Sequence, residues 1–232
     1  DYFRGYLMTT RTRWWWIRHA PVRTTGGRIY GNTDPVADTD DPPTYAGLVR
    51  LLPADALLVT SHLQRTHQTA DAIKAAGLPL PDPHIEEDLA EQDFGDWQGR
   101  KREEVYAELD TKHMFWLTPA HTRAPNGESF ADLMTRVTGV IERLNAEHVG
   151  RDIVAVTHGG TIRAAIGHAL NLDPDAALAC QVDNCSLTRI DHFGPSESHP
   201  DGAWAIFHIN YIPTMDSTLV PDHTAMLALA QR

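Results

Sequence analysis

The sequence predicts an α/β fold: a three-layer sandwich with a mainly parallel central sheet flanked by helices. Three observations carry this reading. Short apolar runs of strand length recur, at Trp14-Trp15-Trp16-Ile17, at Ala56 to Thr60 and at Ile153 to Thr157. These runs are continuous rather than alternating, the habit of strands covered on both faces in parallel sheets. Stretches of helical period stand between them.

Taken in order, the first run is dense in β-favouring aromatics and reads as a buried strand. Arg23 to Pro43 reads as loop, with Gly26-Gly27, Asp34-Pro35 and Pro42-Pro43. After the second strand, Arg65 to Ala76 places Ala70, Ile73 and Ala76 at helical spacing, with Gly77 as a stop. Leu78 to Pro83 is a Pro-rich loop. Glu86 to Asn126 carries irregular helix signals, the aromatics Phe94, Trp97 and Trp116, and Pro119 and Pro125. It reads as a helical and loop insertion within one domain spanning residues 1–232. Phe130 to Glu147 is the longest expected helix, with Phe130, Leu133, Val137, Ile141 and Leu144 on one stripe. Ser129 and Asp132 form its expected capping pair. Thr161 to Leu170 is a shorter helix, and Ser186 to Ile190 and Trp204 to Ile209 are late strands. Residues 1–10 are expected to be a flexible tail, with a second tail at the other end.

The chain has 232 residues, with 20 Lys+Arg against 31 Asp+Glu and a formal net charge of −11. That balance argues against nucleic acid and against an anionic membrane surface as partners. No apolar run approaches the ~18–20 residues needed to span a bilayer, and Asp1 to Thr10 lacks the features of a secretory signal. Two cysteines, Cys180 and Cys185, make a disulfide framework unexpected and point to a reducing, cytoplasmic home. No metal or cofactor is expected. Two Cys alone do not build a structural zinc site, and His62 and His67 are off the i, i+4 spacing that shares a helix face.

The chemistry gathers at strand ends. The first strand ends in Arg18-His19, the second near Ser61-His62 with Arg65 following, and the third in Thr157-His158-Gly159-Gly160. In a parallel sheet these ends share the edge where open α/β folds bind ligands. Two Arg and two His therefore converge beside helix N-termini, which favour anions. Arg matches phosphate oxygens bidentately, and His serves as nucleophile, acid or base near neutral pH. The acidic total does not oppose a small phosphate ester, because charge beyond ~8–10 Å is largely screened at physiological salt.

These residues resemble the histidine phosphatases of the phosphoglycerate-mutase-like superfamily. Ile17-Arg18-His19-Ala20 is similar to the family's Arg-His-Gly signature. Ser61 to Ala70 is similar to its Ser-x-Leu-x-Arg-x-x-x-Thr-Ala motif. Leu89-Ala90-Glu91-Gln92-Asp93-Phe94-Gly95 resembles its acid-bearing motif, and Thr157 to Arg163 its last one. Pro125-Asn126-Gly127-Glu128-Ser129 and Asn184-Cys185-Ser186 resemble segments of its phosphatase branches. The resemblance runs from about residue 12 to 210 and implies a phosphoglycerate mutase-like fold.

It also implies a mechanism. His19 would attack phosphorus and become a phosphohistidine. Arg18, Arg65 and His158 would bind the phosphoryl oxygens. Glu91 would protonate the leaving alcohol and then activate water, which calls for a pKa raised toward neutrality by burial. His19 would need an acceptor, a backbone carbonyl, for its other ring N–H. Phe94 and Trp97 are candidates for the dry surroundings of Glu91. Ala20-Pro21 replaces the family's Gly after the nucleophile, and Tyr30-Gly31-Asn32-Thr33-Asp34 resembles α-ribazole phosphatase-like members. Arg23, Arg28, Tyr30, Asn32 and Gly159 are candidate substrate contacts. The implied function is hydrolysis of a small phosphomonoester, with α-ribazole 5′-phosphate as one option. The alternatives are a phosphoglycerate mutase or sugar bisphosphatase, and a non-catalytic adaptor that binds phosphorylated ligands. The expected partner is a small phosphorylated metabolite. Oligomeric state stays open, a homodimer included, since the insertion's aromatics suit either a lid or an interface.

Overall fold

The computed structural model describes residues 10–196 and 199–214. The expected tails fall on residues 1–9 and 215–232, outside the described residues, Thr10 apart. Six strands form one sheet: β1 (Arg11–Arg18), β2 (Leu57–Thr60), β3 (His84–Ile85), β4 (Asp152–Thr157), β5 (Leu187–Phe193) and β6 (Ala203–Tyr211). Their order is β3-β2-β4-β1-β5-β6. The first four run parallel, whereas β5 is antiparallel to β1 and β6 to β5. The mainly parallel sheet expected from the apolar runs is the observed one, with an antiparallel margin.

Consecutive side chains of β1 serve opposite faces, as the period of a strand requires. Trp14 and Trp16 stack at 4.7 Å and join the core under α4 (Phe130–Glu147), α5 (Gly159–Leu170) and α6 (Pro174–Leu178). Trp15 and Ile17 face α1 (Pro42–Leu51) and α2 (Gln64–Ala75). A buried indole N–H needs an acceptor. Trp14 Nε1 donates to Asn145 Oδ1 at 2.8 Å, and Trp15 Nε1 to Asp152 Oδ1 at 2.9 Å. The three-layer arrangement thus follows from one aromatic strand that is apolar on both sides.

The expected helix Phe130 to Glu147 has those bounds, and Ser129 and Asp132 close a reciprocal capping box. Two helix starts differ from expectation, and the expected insertion holds its own small core. Pro42-Pro43 open α1 rather than belong to a loop: proline is tolerated in a first turn, and Asp41 accepts from Thr44 N at 3.3 Å. α5 begins at Gly159, two residues before the expected Thr161, with extended His158 as its N-cap. The segment 86–126 holds two 3₁₀ turns (Glu87–Leu89, Gly95–Trp97) and α3 (Arg102–Glu108) around a small core of Ile29, Phe94, Val105 and Leu117.

Candidate active site

His19 follows β1, and its backbone N–H donates to Thr157 O at 2.9 Å, tying it to the end of β4. The ring keeps 1% of its surface. Its Nδ1 lies 2.7 Å from Ala20 O, so that nitrogen carries the proton and donates to the carbonyl. Burial, and then the Arg65 and Arg18 charges, hold the imidazole's pKa well below the ordinary histidine value; the Ala20 contact opposes this weakly. At neutral pH His19 is therefore an uncharged imidazole whose Nε2 offers a lone pair. The expected carbonyl acceptor is present.

The segment entering β5 fixes the His19 backbone. Asn184 Nδ2 donates to His19 O at 2.7 Å, Cys185 N donates to Arg18 O at 2.9 Å, and Arg18 Nη1 donates to Val182 O at 2.7 Å. Cys185 takes φ +57° to make the turn.

Arg65 is completely buried in the first turn of α2. It donates to Gly31 O and Thr33 O, each at 2.7 Å, and its Cζ stands 5.2 Å from the Tyr30 ring centroid. His158 lies 5.2 Å from His19, centroid to centroid. Ser61 Oγ accepts from Leu63 N at 3.2 Å and lies 2.8 Å from His158 Nε2. In the tautomer where the hydroxyl donates to Nε2, the ring proton stands on Nδ1. Burial, with Arg65 and His19 next, pulls the His158 pKa well below its usual value, so this ring is neutral too. Among the described residues, Arg18 Nε, Arg65 Nε, Arg163 Nε and His158 Nδ1 are buried without a hydrogen-bond partner. Unpaired buried donors are costly, and a cluster of them is complementary to an anion.

Glu91, 8% exposed, follows the first 3₁₀ turn. Its carboxylate accepts from Gln92 N at 3.0 Å and from Gly160 N at 3.1 and 3.2 Å. Arg136 of α4 donates to Ala90 O at 2.9 Å and Glu91 O at 3.2 Å, fixing the backbone that carries it.

A cavity of about 290 Å³ lies beside this cluster, lined by Arg18, Arg28, Tyr30, Glu91, Phe94 and Gly159 among others, but not by His19, Arg65 or His158. Arg28 also donates to Gly99 O at 2.7 Å. Asn32 lies elsewhere, in a neighbouring depression that shares only Glu91 with the cavity. Exposed Arg23 pairs with Asp38, and Trp97 packs with the insertion's small core, so neither lines the cavity. The aromatic beside Phe94 is Trp116 instead. Sequence reasoning missed three lining residues, Arg102, Trp116 and Arg163, in the role they take here. Arg163 had a signal, since it stands four residues after Gly159 on one helix face. Arg102 had none: it reaches the cavity through an isolated bridge between Arg28 and Lys101. Among the described residues no group of three or more His, Cys, Asp or Glu could hold a metal ion, and no helix is long and apolar enough to cross a membrane.

The family model for the histidine phosphatase superfamily (branch 1) matches residues 14–198. A bifunctional protein of Mycobacterium tuberculosis is 31% identical over 156 residues, covering 67% of this chain and 40% of its own. The chain thus spans about 40% of the length of the mycobacterial relatives it matches. The adenosylcobalamin/alpha-ribazole phosphatase of Salmonella typhimurium is 30% identical over 184 residues, 77% of this chain and 90% of its own. The fold is shared with a mycobacterial glucosyl-3-phosphoglycerate phosphatase (TM-score 0.73, 24% identity, 87% of this chain and 99% of the other). It is shared too with the alpha-ribazole phosphatase of Shigella flexneri (TM-score 0.68, 24% identity, 87% and 98%). With a match that begins inside β1, the strand that leads to His19, and ends beyond β5, the chain belongs to the histidine phosphatase superfamily, branch 1.

Proposed function

We propose that this chain, as a single catalytic domain, hydrolyses a small phosphomonoester through a phosphohistidine on His19. One observation carries the reading: a neutral imidazole with a free Nε2 is held among buried guanidinium and imidazole nitrogens that lack protein partners. His19 Nε2 attacks phosphorus and the bond from phosphorus to the ester oxygen breaks. Protonated Glu91 gives its proton to the departing alcohol. Arg18, Arg65 and the His158 Nδ1–H balance the charge on the equatorial oxygens. In the second step ionised Glu91 takes a proton from water, the water oxygen attacks phosphorus, and the bond to Nε2 breaks. Inorganic phosphate leaves, and His19 is again neutral. Covalent catalysis divides one hard displacement into two easier ones.

The relatives named above supply a starting substrate, α-ribazole 5′-phosphate, to be assayed within a panel of phosphorylated metabolites. The decisive experiment uses His19→Ala with p-nitrophenyl phosphate. Hydrolysis should fall to background, and the acid-labile phosphate label expected on the wild-type protein should be absent. Full activity in His19→Ala would overturn the mechanism.

A further inference from the structure

A further cavity lies at the other end of the sheet. Its volume is about 420 Å³, within the range of small-molecule sites. It is lined from the start of β1, from the C-terminal turns of α4 and α5, and from the hairpin that joins β5 to β6. A strand rises about 3.3 Å per residue, so Thr12 in its lining stands roughly 20 Å from His19. It shares no lining residue with the cavity beside the His19 cluster.

The two cavities differ in charge. Arg18, Arg28, Arg102 and Arg163 line the one beside His19. The far one has no Lys or Arg in its lining, and its charged groups are the carboxyls of Glu142 and Asp201. Both residues are exposed, and among the described residues neither forms an ion pair.

One wall is made of rings. Trp204 packs against the core under α4 and α5. His192 lies 4.6 Å from it, tilted, and His168 lies 5.2 Å from it, edge-on, centroid to centroid. Burial pulls both imidazoles below the ordinary histidine value; Glu142 opposes this at His168, and His168 adds to it at His192. Each ring is therefore uncharged at neutral pH and keeps one nitrogen lone pair. Among the described residues no ring nitrogen of either has a hydrogen-bond partner. Free acceptor nitrogens, an indole and two unpaired carboxylates suit one kind of ligand, a cation that carries N–H groups. An indole is the aromatic surface that attracts a cation best. Val149 and Pro195 add apolar lining for a carbon body.

We propose that this cavity binds an organic primary ammonium ion, its charge met by Glu142 and Asp201 and its apolar or aromatic body resting on Trp204. The proposal does not depend on the phosphatase reading, since no residue of the His19 cluster takes part.

The test uses benzylammonium, benzyl alcohol and benzoate, which share a body and differ in charge. Their binding to the full chain is measured by calorimetry at neutral pH. Benzylammonium should bind at least about tenfold more tightly than benzyl alcohol, the scale of two exposed ion pairs and one cation–π contact together. Benzoate should bind most weakly. In proton–carbon correlation spectra the Cε1–H signals of His168 and His192 should move along the benzylammonium titration. Glu142→Gln and Asp201→Asn should each weaken its binding at least about twofold. Asp71→Asn removes an equal exposed charge from α2, on the other face of the sheet, and should change nothing. Equal binding of the three probes would overturn the proposal, and so would unmoved histidine signals. An Asp71→Asn loss equal to that of Glu142→Gln would overturn it too, as diffuse attraction to an acidic surface. His19→Ala should bind benzylammonium as the wild type does; loss of binding there would place the amine in the other cavity and overturn the proposal.

Discussion

The Gly160 N–H points between the two carboxylate oxygens of Glu91, 3.1 and 3.2 Å away. The candidate acid therefore sits on the N-terminus of α5, the helix whose N-cap, His158, belongs to the proposed phosphate-binding set. The proposed acid and phosphoryl site share one helix end, so a change in the first turn of α5 should disturb both.

Gly160 tests this directly. A Cβ there would collide with the Glu91 carboxyl and come 2.8 Å from Leu133 Cδ2. Within a helix Ala is otherwise favoured over Gly by ~1 kcal/mol. Gly160→Ala should leave the circular dichroism spectrum intact and displace Glu91. Turnover of alkyl phosphates should fall by about 10²-fold, within the range of general-acid contributions. Formation of the phosphohistidine from p-nitrophenyl phosphate, read by rapid quench, should fall much less, because its leaving group needs no proton. An equal loss of phosphohistidine formation from both substrates would refute a displaced acid.

Arg136 should act through Glu91 as a positioning residue. Besides holding the carbonyls of Ala90 and Glu91, it pairs with Glu128 at 2.6 Å. Arg136→Leu should lower kcat for alkyl phosphates by roughly tenfold with little change in KM, since misplacing a reacting group acts on kcat. Arg136→Lys should rescue only part, because an ammonium cannot reproduce the guanidinium fork. A rise in KM alone would place Arg136 in substrate binding instead.

The neutral histidines give stability a defined pH dependence. His19 and His158 have folded pKa values well below 6.5, with burial as the largest cause of each. Above the unfolded value neither state binds the extra proton. As the pH falls through about 6.5 the unfolded chain takes up protons that the folded one refuses, so stability drops toward acid. The slope is at most ~1.4 kcal/mol per pH unit for each histidine. Urea unfolding at pH 7.0 and 5.5 should show a smaller acid loss in His19→Gln than in wild type. Parallel losses would mean that His19 is protonated in the folded protein.

Much of this site is legible in the chain because its chemistry sits at strand ends. Arg18-His19 and His158-Gly159 follow continuous apolar runs, and the parallel sheet those runs imply brings them to one edge. The parts that stayed hidden depend on pairings distant in sequence. Arg102 arrives through the Arg28–Lys101 bridge, and no local pattern announces that bridge. Pro42-Pro43 carry loop chemistry and helix-start chemistry alike; only the Asp41 cap decides between them. β3 is two exposed residues, too short to show any period. Asn184 reads as a strand entry, but its contact with His19 exists because β5 runs antiparallel beside β1.

That last contact can be isolated. Asn184 Nδ2 donates to His19 O at 2.7 Å, while Nδ1 of the same histidine bonds the carbonyl of Ala20. The two bonds together set the ring's position relative to its own backbone. Asn184→Asp preserves shape and removes the donor, placing an acceptor oxygen against a carbonyl oxygen. The expected cost in stability is ~1–3 kcal/mol, the range for a buried polar group left unsatisfied. The catalytic effect should fall on formation of the phosphohistidine. In rapid-quench experiments the rate of labelling by p-nitrophenyl phosphate should drop at least about tenfold, while hydrolysis of the preformed intermediate, which depends on Glu91, should change little. Equal slowing of both steps would mean that Asn184 supports the whole site rather than the nucleophile.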